Sequence, residues 1–279
     1  MRFGWHAQAA SRYLLRSVIF AAVGLVALYA VIYFLEPFST FTNNLFANAL
    51  TITAAVFSAT CATLTWAMYE KTDAPRRIWR FFAFGLWLWV MGEITWGYQN
   101  LTLLNGEVPI GVSDVFWIVA YYFLGQALLS QYQLLVRPTK SELMTRVVWV
   151  ALFLGVVFVL IFSVLIWLDI SASVVDTLVN AFYPAGDITL ALAAIWLTRN
   201  FQGGALGRPW IGLLVFTFTD LMYAWLQLSG AYAWSLDQGN LVSGFSDIIY
   251  FSAYLVLGIG SFSQWLFLKY GLRSPSKAR

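Results

Sequence analysis

GVSDVFWIVAYYFLGQALLSQ, residues 111–131, and GFSDIIYFSAYLVLGIGSFSQ, residues 244–264, decide how this chain is read. Gly111, Ser113, Asp114, Ala120, Tyr121, Leu124, Gly125, Ser130 and Gln131 return as Gly244, Ser246, Asp247, Ala253, Tyr254, Leu257, Gly258, Ser263 and Gln264, each 133 residues later. Both runs are too long and too continuously apolar for the alternating strands of about 10 residues that build a membrane barrel. They match the roughly 20 residues a helix needs to cross about 30 Å of hydrocarbon. Upstream, with a small gap, Glu93-x-x-Trp96-x-Tyr98 is echoed by Asp220-x-x-Tyr223-x-Trp225: acid, two residues, aromatic, one residue, aromatic. Self-similarity on this scale marks one structural unit used twice.

Outward from these runs the composition agrees. Of 279 residues, 61% are hydrophobic and 10% charged, against about 25% charged in soluble domains. Apolar runs place spans at 17–35, 46–68, 81–103, 113–134, 147–168, 175–198, 209–230 and 243–268. The expectation is an all-α integral membrane protein of eight transmembrane helices, a parallel tandem duplication of four. Residues 17–134 form the first four-helix repeat and 147–268 the second. A cytoplasmic segment 1–16, a cytoplasmic connector 135–146 and a cytoplasmic tail 269–279 complete the chain. Helices satisfy their backbone polar groups internally, as lipid demands. An even number of spans per unit points both copies the same way, unlike the inverted repeats of many carriers. The run at 17–35 exceeds a signal-peptide core, and no small-x-small site precedes Glu36. The single cysteine, Cys61, excludes an intrachain disulfide.

Charge sets the orientation. Arg2, Arg12 and Arg16 precede span one; Lys71, Arg76, Arg77 and Arg80 follow span two; Arg137, Lys140 and Arg146 follow span four; Arg199 and Arg208 follow span six; Lys269, Arg273, Lys277 and Arg279 follow span eight. The alternate loops hold Glu36, Glu107, Asp169, Asp176 and Asp237 with no Lys or Arg. Short loops rich in Lys and Arg stay in the cytoplasm, so both termini are expected there, in a cell (inner) membrane. The sequence pI of about 9.0 is then an orientation signal and calls for no nucleic acid. Trp66, Trp79, Trp149, Trp167, Trp196, Trp210, Trp234 and Trp265 fall near span ends, where indole rings favour the headgroup level.

Ionisable residues inside spans are costly and mark function by default. Glu93, Asp187 and Asp220 lie within spans, Asp114 and Asp247 at the outer starts of spans four and eight, and no span supplies a Lys or Arg to pair with them. Asp114 and Asp247, each after a serine, read most simply as caps on free backbone amides. The other three have two readings. They tie helices together through polar neighbours such as Thr95, Gln99, Asn100, Thr189, Thr217, Thr219 or Gln227. Alternatively they line an outward-opening acidic cavity walled by Trp96, Tyr98, Tyr121, Tyr183, Tyr223, Trp225, Tyr250 and Tyr254, suited to an amphipathic or cationic small ligand. Tyr183-Pro184-Ala-Gly186-Asp187 sets a proline, a glycine and an acid together, a pattern that frees a carbonyl and permits a kink.

Several chemistries are set aside by absence. The only histidine, His6, precedes the first span, and no span contains lysine, which removes bis-histidine haem, multi-histidine metal sites and a retinal Schiff base. No phosphate loop, Ser-His-Asp set or HExxH pattern occurs. No enzyme is expected, and the sequence leaves the cofactor unknown.

Gly85-Leu-Trp-Leu-Trp, Gly92-Glu93-Ile-Thr-Trp96 and Pro109-Ile-Gly-Val-Ser113-Asp114-Val-Phe116-Trp117, with Phe182-Tyr183-Pro184-Ala-Gly186-Asp187 and Arg208-Pro209-Trp210 through Asp220-Leu-Met-Tyr223, resemble a recurrent pattern. It is similar to the multi-span input region of bacterial membrane-bound diguanylate cyclases, related phosphodiesterases and some sensor histidine kinases, over roughly residues 78–265. The resemblance implies a sensing module. Those regions feed a cytoplasmic output domain, whereas this sequence stops about eleven residues after its last span, so signalling through a separate protein partner is expected. A scaffold or accessory subunit of a larger membrane complex, and a carrier of small solutes or ions, are the alternatives.

Overall fold

The computed structural model describes residues 2–103, 109–135, 149, 153, 154, 156, 157, 173–201, 206–232 and 241–271. Seven α-helices are described there: α1 (Arg2–Leu35), α2 (Thr40–Ala67), α3 (Ala74–Leu103), α4 (Val112–Leu135), α5 (Val174–Asn200), α6 (Arg208–Leu228) and α7 (Leu241–Leu266), the last ending in a π turn at Phe267–Gly271. Their limits follow from local chemistry. Ser39 and Ser173 cap α2 and α5 by accepting from Thr42 N and Asp176 N, filling one of the orphan donors of a helix start. Pro209 sits in the first turn of α6, where its missing N–H costs nothing. Glu36, with φ of 43°, turns the chain out of α1 just ahead of Pro37.

The expected eight crossings are corrected by this structure. Six of the described helices are long and apolar enough to cross a membrane: α1 from Ala9, α2, α4, α5, α6 and α7. Helix α3 is 30 residues long but falls short in apolarity. Arg76, Arg77 and Arg80 crowd its first two turns, Glu93, Gln99 and Asn100 interrupt the rest, and much of its bulk is tryptophan rather than aliphatic. The expected span 147–168 and connector 135–146 lie almost wholly outside the described residues. Residues 2–16, expected as a separate segment, continue helix α1 instead.

Helices α2, α3, α4, α5, α6 and α7 pack in that order into a ring, α7 closing on α2, while α1 lies outside against α7 and α2. Across the middle, α3 meets α6: Phe82 lies against Trp210 with ring centres 5.5 Å apart, and Trp89 against Phe216 at 4.9 Å. The closing seam is polar. Ser58 Oγ donates to Tyr254 O at 2.5 Å and Thr65 Oγ1 to Ser261 O at 3.1 Å. A step of seven residues on both sides shows that α2 and α7 run parallel. Gly258 admits α2 between those two bonds, since a Cβ there would stand 2.4 Å from the Phe57 ring. Small residues and hydroxyls are what helix contacts in lipid use in place of a hydrophobic driving force.

Large apolar side chains cover the outside, among them Phe20, Val115, Phe218 and Phe245, and the molecule has the surface and helices of a multi-pass membrane protein. Trp66 and Trp265 lie near span ends with cations over their rings, Arg76 at 5.6 Å and Lys269 at 4.3 Å. Trp79 and Trp210, expected in the same interfacial belt, are buried inside the ring, because both pack on the Phe82 edge where α3 and α6 touch.

Candidate functional site

A cavity of about 520 Å³ opens where α1, α3 and α6 end and α2, α4, α5 and α7 begin. This end of the ring is opposite the one where Lys71, Arg76, Arg77 and Arg80 gather beside the last turns of α2 and α4. Five carboxyl groups line the cavity, Glu93, Asp114, Asp176, Asp220 and Asp247. Its described lining contains no Lys, Arg or His. Between the acids stand Trp89, Trp96, Trp117, Tyr183, Tyr223 and Tyr250, with amides from Asn44, Asn48, Asn180 and Gln227.

The acids descend in steps. Counting about 1.5 Å per residue from the near helix end, Asp114 lies about 3 Å in, Asp247 about 9 Å, Asp220 about 12 Å, Glu93 about 15 Å and Asp187 about 20 Å. Each is held by a tyrosine. Tyr183 donates to Asp114 Oδ1 at 2.6 Å, and Tyr232 to Asp247 Oδ1 at 2.8 Å. Tyr254 and Tyr250 donate to Glu93 Oε1 at 2.6 and 3.0 Å, and Trp89 Nε1 lies 3.4 Å from the Tyr250 hydroxyl. The Tyr121 hydroxyl lies 2.7 Å from Asp187 Oδ1 and 2.9 Å from Asp220 Oδ2. Tyr232 stands outside the helices, and burial, reinforced by the Asp247 charge, raises its hydroxyl well above the ordinary tyrosine range, so it remains a donor.

These bonds follow the sequence repeat reciprocally. Glu93 and Asp220 correspond, as do Tyr121 and Tyr254. Tyr254 of the second unit holds Glu93 of the first, and Tyr121 of the first holds Asp220 of the second. The departure is Asp187: helix α2, which packs on α7 as α5 packs on α4, carries no acid at all. Tyr121 therefore serves two carboxyl groups where Tyr254 serves one. Its close seat on α5 needs Gly186, because a Cβ there would stand 2.8 Å from the Tyr121 ring. Helix α5 runs through Pro184 without a break.

Eight of the expected residues share the cavity: Glu93, Trp96, Asp114, Tyr183, Asp220, Tyr223, Asp247 and Tyr250. Asp187, Tyr121 and Tyr254 are buried just behind its wall. Tyr98 and Trp225 point outward, 70% and 66% exposed. The reason is angular, since two residues along an α-helix turn about 200°, so Trp96 and Tyr98 cannot share a face, nor can Tyr223 and Trp225. Asp114 keeps part of its expected capping role, accepting from Gly111 N at 2.8 Å. Asp247 does not, because α7 begins at Leu241.

The expected polar ties are also redistributed. Thr95, Thr189, Thr217 and Thr219 bond carbonyls of their own helices. Asn100 accepts from Asn48 and Gln99 from Ser113. Asn48, Asn180 and Tyr232 join the site without a sequence signal beyond the position of Tyr232 beside a span end. Comparison with protein-family models, curated proteins and solved structures finds no match to this chain.

Proposed function

We propose that this chain is a membrane-embedded ligand-binding module that takes an organic cation in the cavity and signals through a protein partner. The observation that carries this reading is five carboxyl groups facing one aromatic-walled space without a basic side chain among its described lining. Removing charges from water without a counter-ion is costly, and an entering cation supplies one. Tryptophan and tyrosine faces add cation–π attraction of about 0.5–2 kcal/mol each. The volume falls within the roughly 300–1,000 Å³ typical of small-molecule pockets and is far larger than a bare metal ion needs.

The resemblance to sensory input regions supports signalling, and the bonding pattern supplies a route. Glu93 and Asp220 are tied to tyrosines of other helices, so a cation that draws on both alters contacts between α3 and α7 and between α6 and α4. In this proposal the basic end of the ring faces the cytoplasm of a cell membrane and the cavity faces away from it.

Binding of tetraethylammonium and choline to nanodisc-embedded protein, read by intrinsic tryptophan fluorescence, tests the reading. Saturable changes weakened at least tenfold by Glu93→Gln or Asp220→Asn are expected. Flat titrations with both probes would overturn it. The stepwise depth of the acids also favours a carrier; proteoliposomes showing no cation-dependent flux under a proton gradient would remove that second reading.

A further inference from the structure

The Tyr121 hydroxyl has one hydrogen and touches two carboxyl groups. An ionised carboxylate only accepts, whereas a hydroxyl donates once. Tyr121 can therefore donate to Asp187 or to Asp220, and the other contact is a hydrogen bond only when that carboxyl carries a proton of its own. Glu93 is satisfied without a proton of its own when both hydroxyls donate to it, the 3.0 Å contact between those hydroxyls then carrying no hydrogen. A second observation points to the same place. Asp187 is fully buried, and its Oδ2 is a buried oxygen without a hydrogen-bond partner. A neutral acid tolerates that far better than a carboxylate does.

We propose that Asp187, Tyr121 and Asp220 form a proton store at the foot of the cavity, holding one shared proton while the cavity is empty and releasing it when positive charge enters. The proposal rests on the cavity being a cation site. The steps balance. Asp187 passes its proton to the Tyr121 oxygen as the Tyr121 hydrogen moves to Asp220 Oδ2, and Asp220, which lines the cavity, gives that proton to water. One proton leaves and one unit of positive charge takes its place. Without that charge, two carboxylates would be left on one donor with no cation beside them.

The titratable groups facing the trio are Glu93 from α3, Tyr183 from α5 and Tyr250 from α7, with Asp114 on α4 bonded to that Tyr183. All are acids or phenols. Among the described residues no group on α3, α5 or α7 that faces the trio can supply the positive charge, so in this proposal it comes from outside.

Infrared difference spectroscopy of nanodisc-embedded protein at neutral pH tests this without any ligand. The empty wild type is expected to show the C=O stretch of a buried protonated carboxylic acid, unchanged in Asp73→Asn and lost in Asp187→Asn. Its absence in the wild type, or its full retention in both Asp187→Asn and Asp220→Asn, overturns the proposal. A fixed positive charge then stands in for the ligand: Ala224→Lys, one turn from Asp220 on the cavity wall, is expected to abolish the band, and Gln227→Lys provides a second site if the first variant does not fold. Retention of the band in a folded lysine variant overturns the release step. Failure of tetraethylammonium and choline to bind, with the band behaving as described, would remove the cation-sensing function and leave the proton store standing.

Discussion

Removing one oxygen atom distinguishes the two halves of the site. Tyr121→Phe keeps the ring that packs against Trp89 and Phe182 and deletes only the hydroxyl shared by Asp187 and Asp220. Hydrogen bonds to charged groups contribute about 1.5–3 kcal/mol in soluble proteins, whereas interhelical bonds measured in a membrane average about 0.6 and reach about 1.7. Asp187 is inaccessible and loses its single partner, so the upper membrane value, about 2 kcal/mol, applies to it. Asp220 faces the cavity, where water replaces the lost donor, and about 0.5–1 kcal/mol is appropriate. The sum is close to 3 kcal/mol.

The matched perturbation is Tyr254→Phe. Glu93 keeps the Tyr250 hydroxyl at 3.0 Å, and the expected cost is about 1 kcal/mol. Reversible unfolding in mixed micelles, titrated with SDS and followed by circular dichroism, measures both. Tyr121→Phe is expected to be the more destabilising by about 2 kcal/mol, and a double-mutant cycle with Asp187→Asn to return a coupling of similar size. Equal losses for the two phenylalanine variants would refute the reasoning, because they would mean that a second acid on one donor makes no difference.

Two further perturbations test the supports of the ring. Gly186→Ala places a Cβ 2.8 Å from the Tyr121 ring; overpacking of this kind costs about 1–3 kcal/mol, and it is expected to lower the SDS-unfolding midpoint about as far as Tyr121→Phe does without altering any polar group. Ser58→Ala with Thr65→Ala removes both hydroxyl bonds of the α2–α7 seam and is expected to lower stability by about 1–2 kcal/mol in the SDS titration, with cation binding retained; an unchanged midpoint would mean that the seam is held by packing alone.

The sequence carries the helices, the acids and the correspondence between halves, because each depends on residues close in the chain or on direct comparison of two segments. It overcounts crossings at α3 since an unbroken run of large residues reads as a span even when tryptophans, arginines and Glu93 make it a poor one. It misplaces Asp247 because Leu241-Val-Ser-Gly-Phe-Ser contains serine and glycine, which look like a helix start yet extend α7 by nearly two turns. What local reading cannot supply is which tyrosine meets which acid. That depends on ring order, and for every pair except Tyr232 and Asp247, 15 residues apart, sequence separations of 66 to 161 residues hide it. The aromatic pairs at 96/98 and 223/225 were legible in principle, since helical geometry alone assigns the two members to opposite faces.

The donors that satisfy Glu93 come from the last helix of the ring, 157 and 161 residues further along the chain. A ribosome adding about 5–20 residues per second takes on the order of 10–30 s to cover that distance. Throughout that interval Glu93 waits without the two hydroxyls that hold it in the folded protein. A chain terminated before α7 is therefore expected to be cleared from membranes faster than the full-length chain, as pulse-chase labelling would measure, even though the six described helices ahead of α7 are complete.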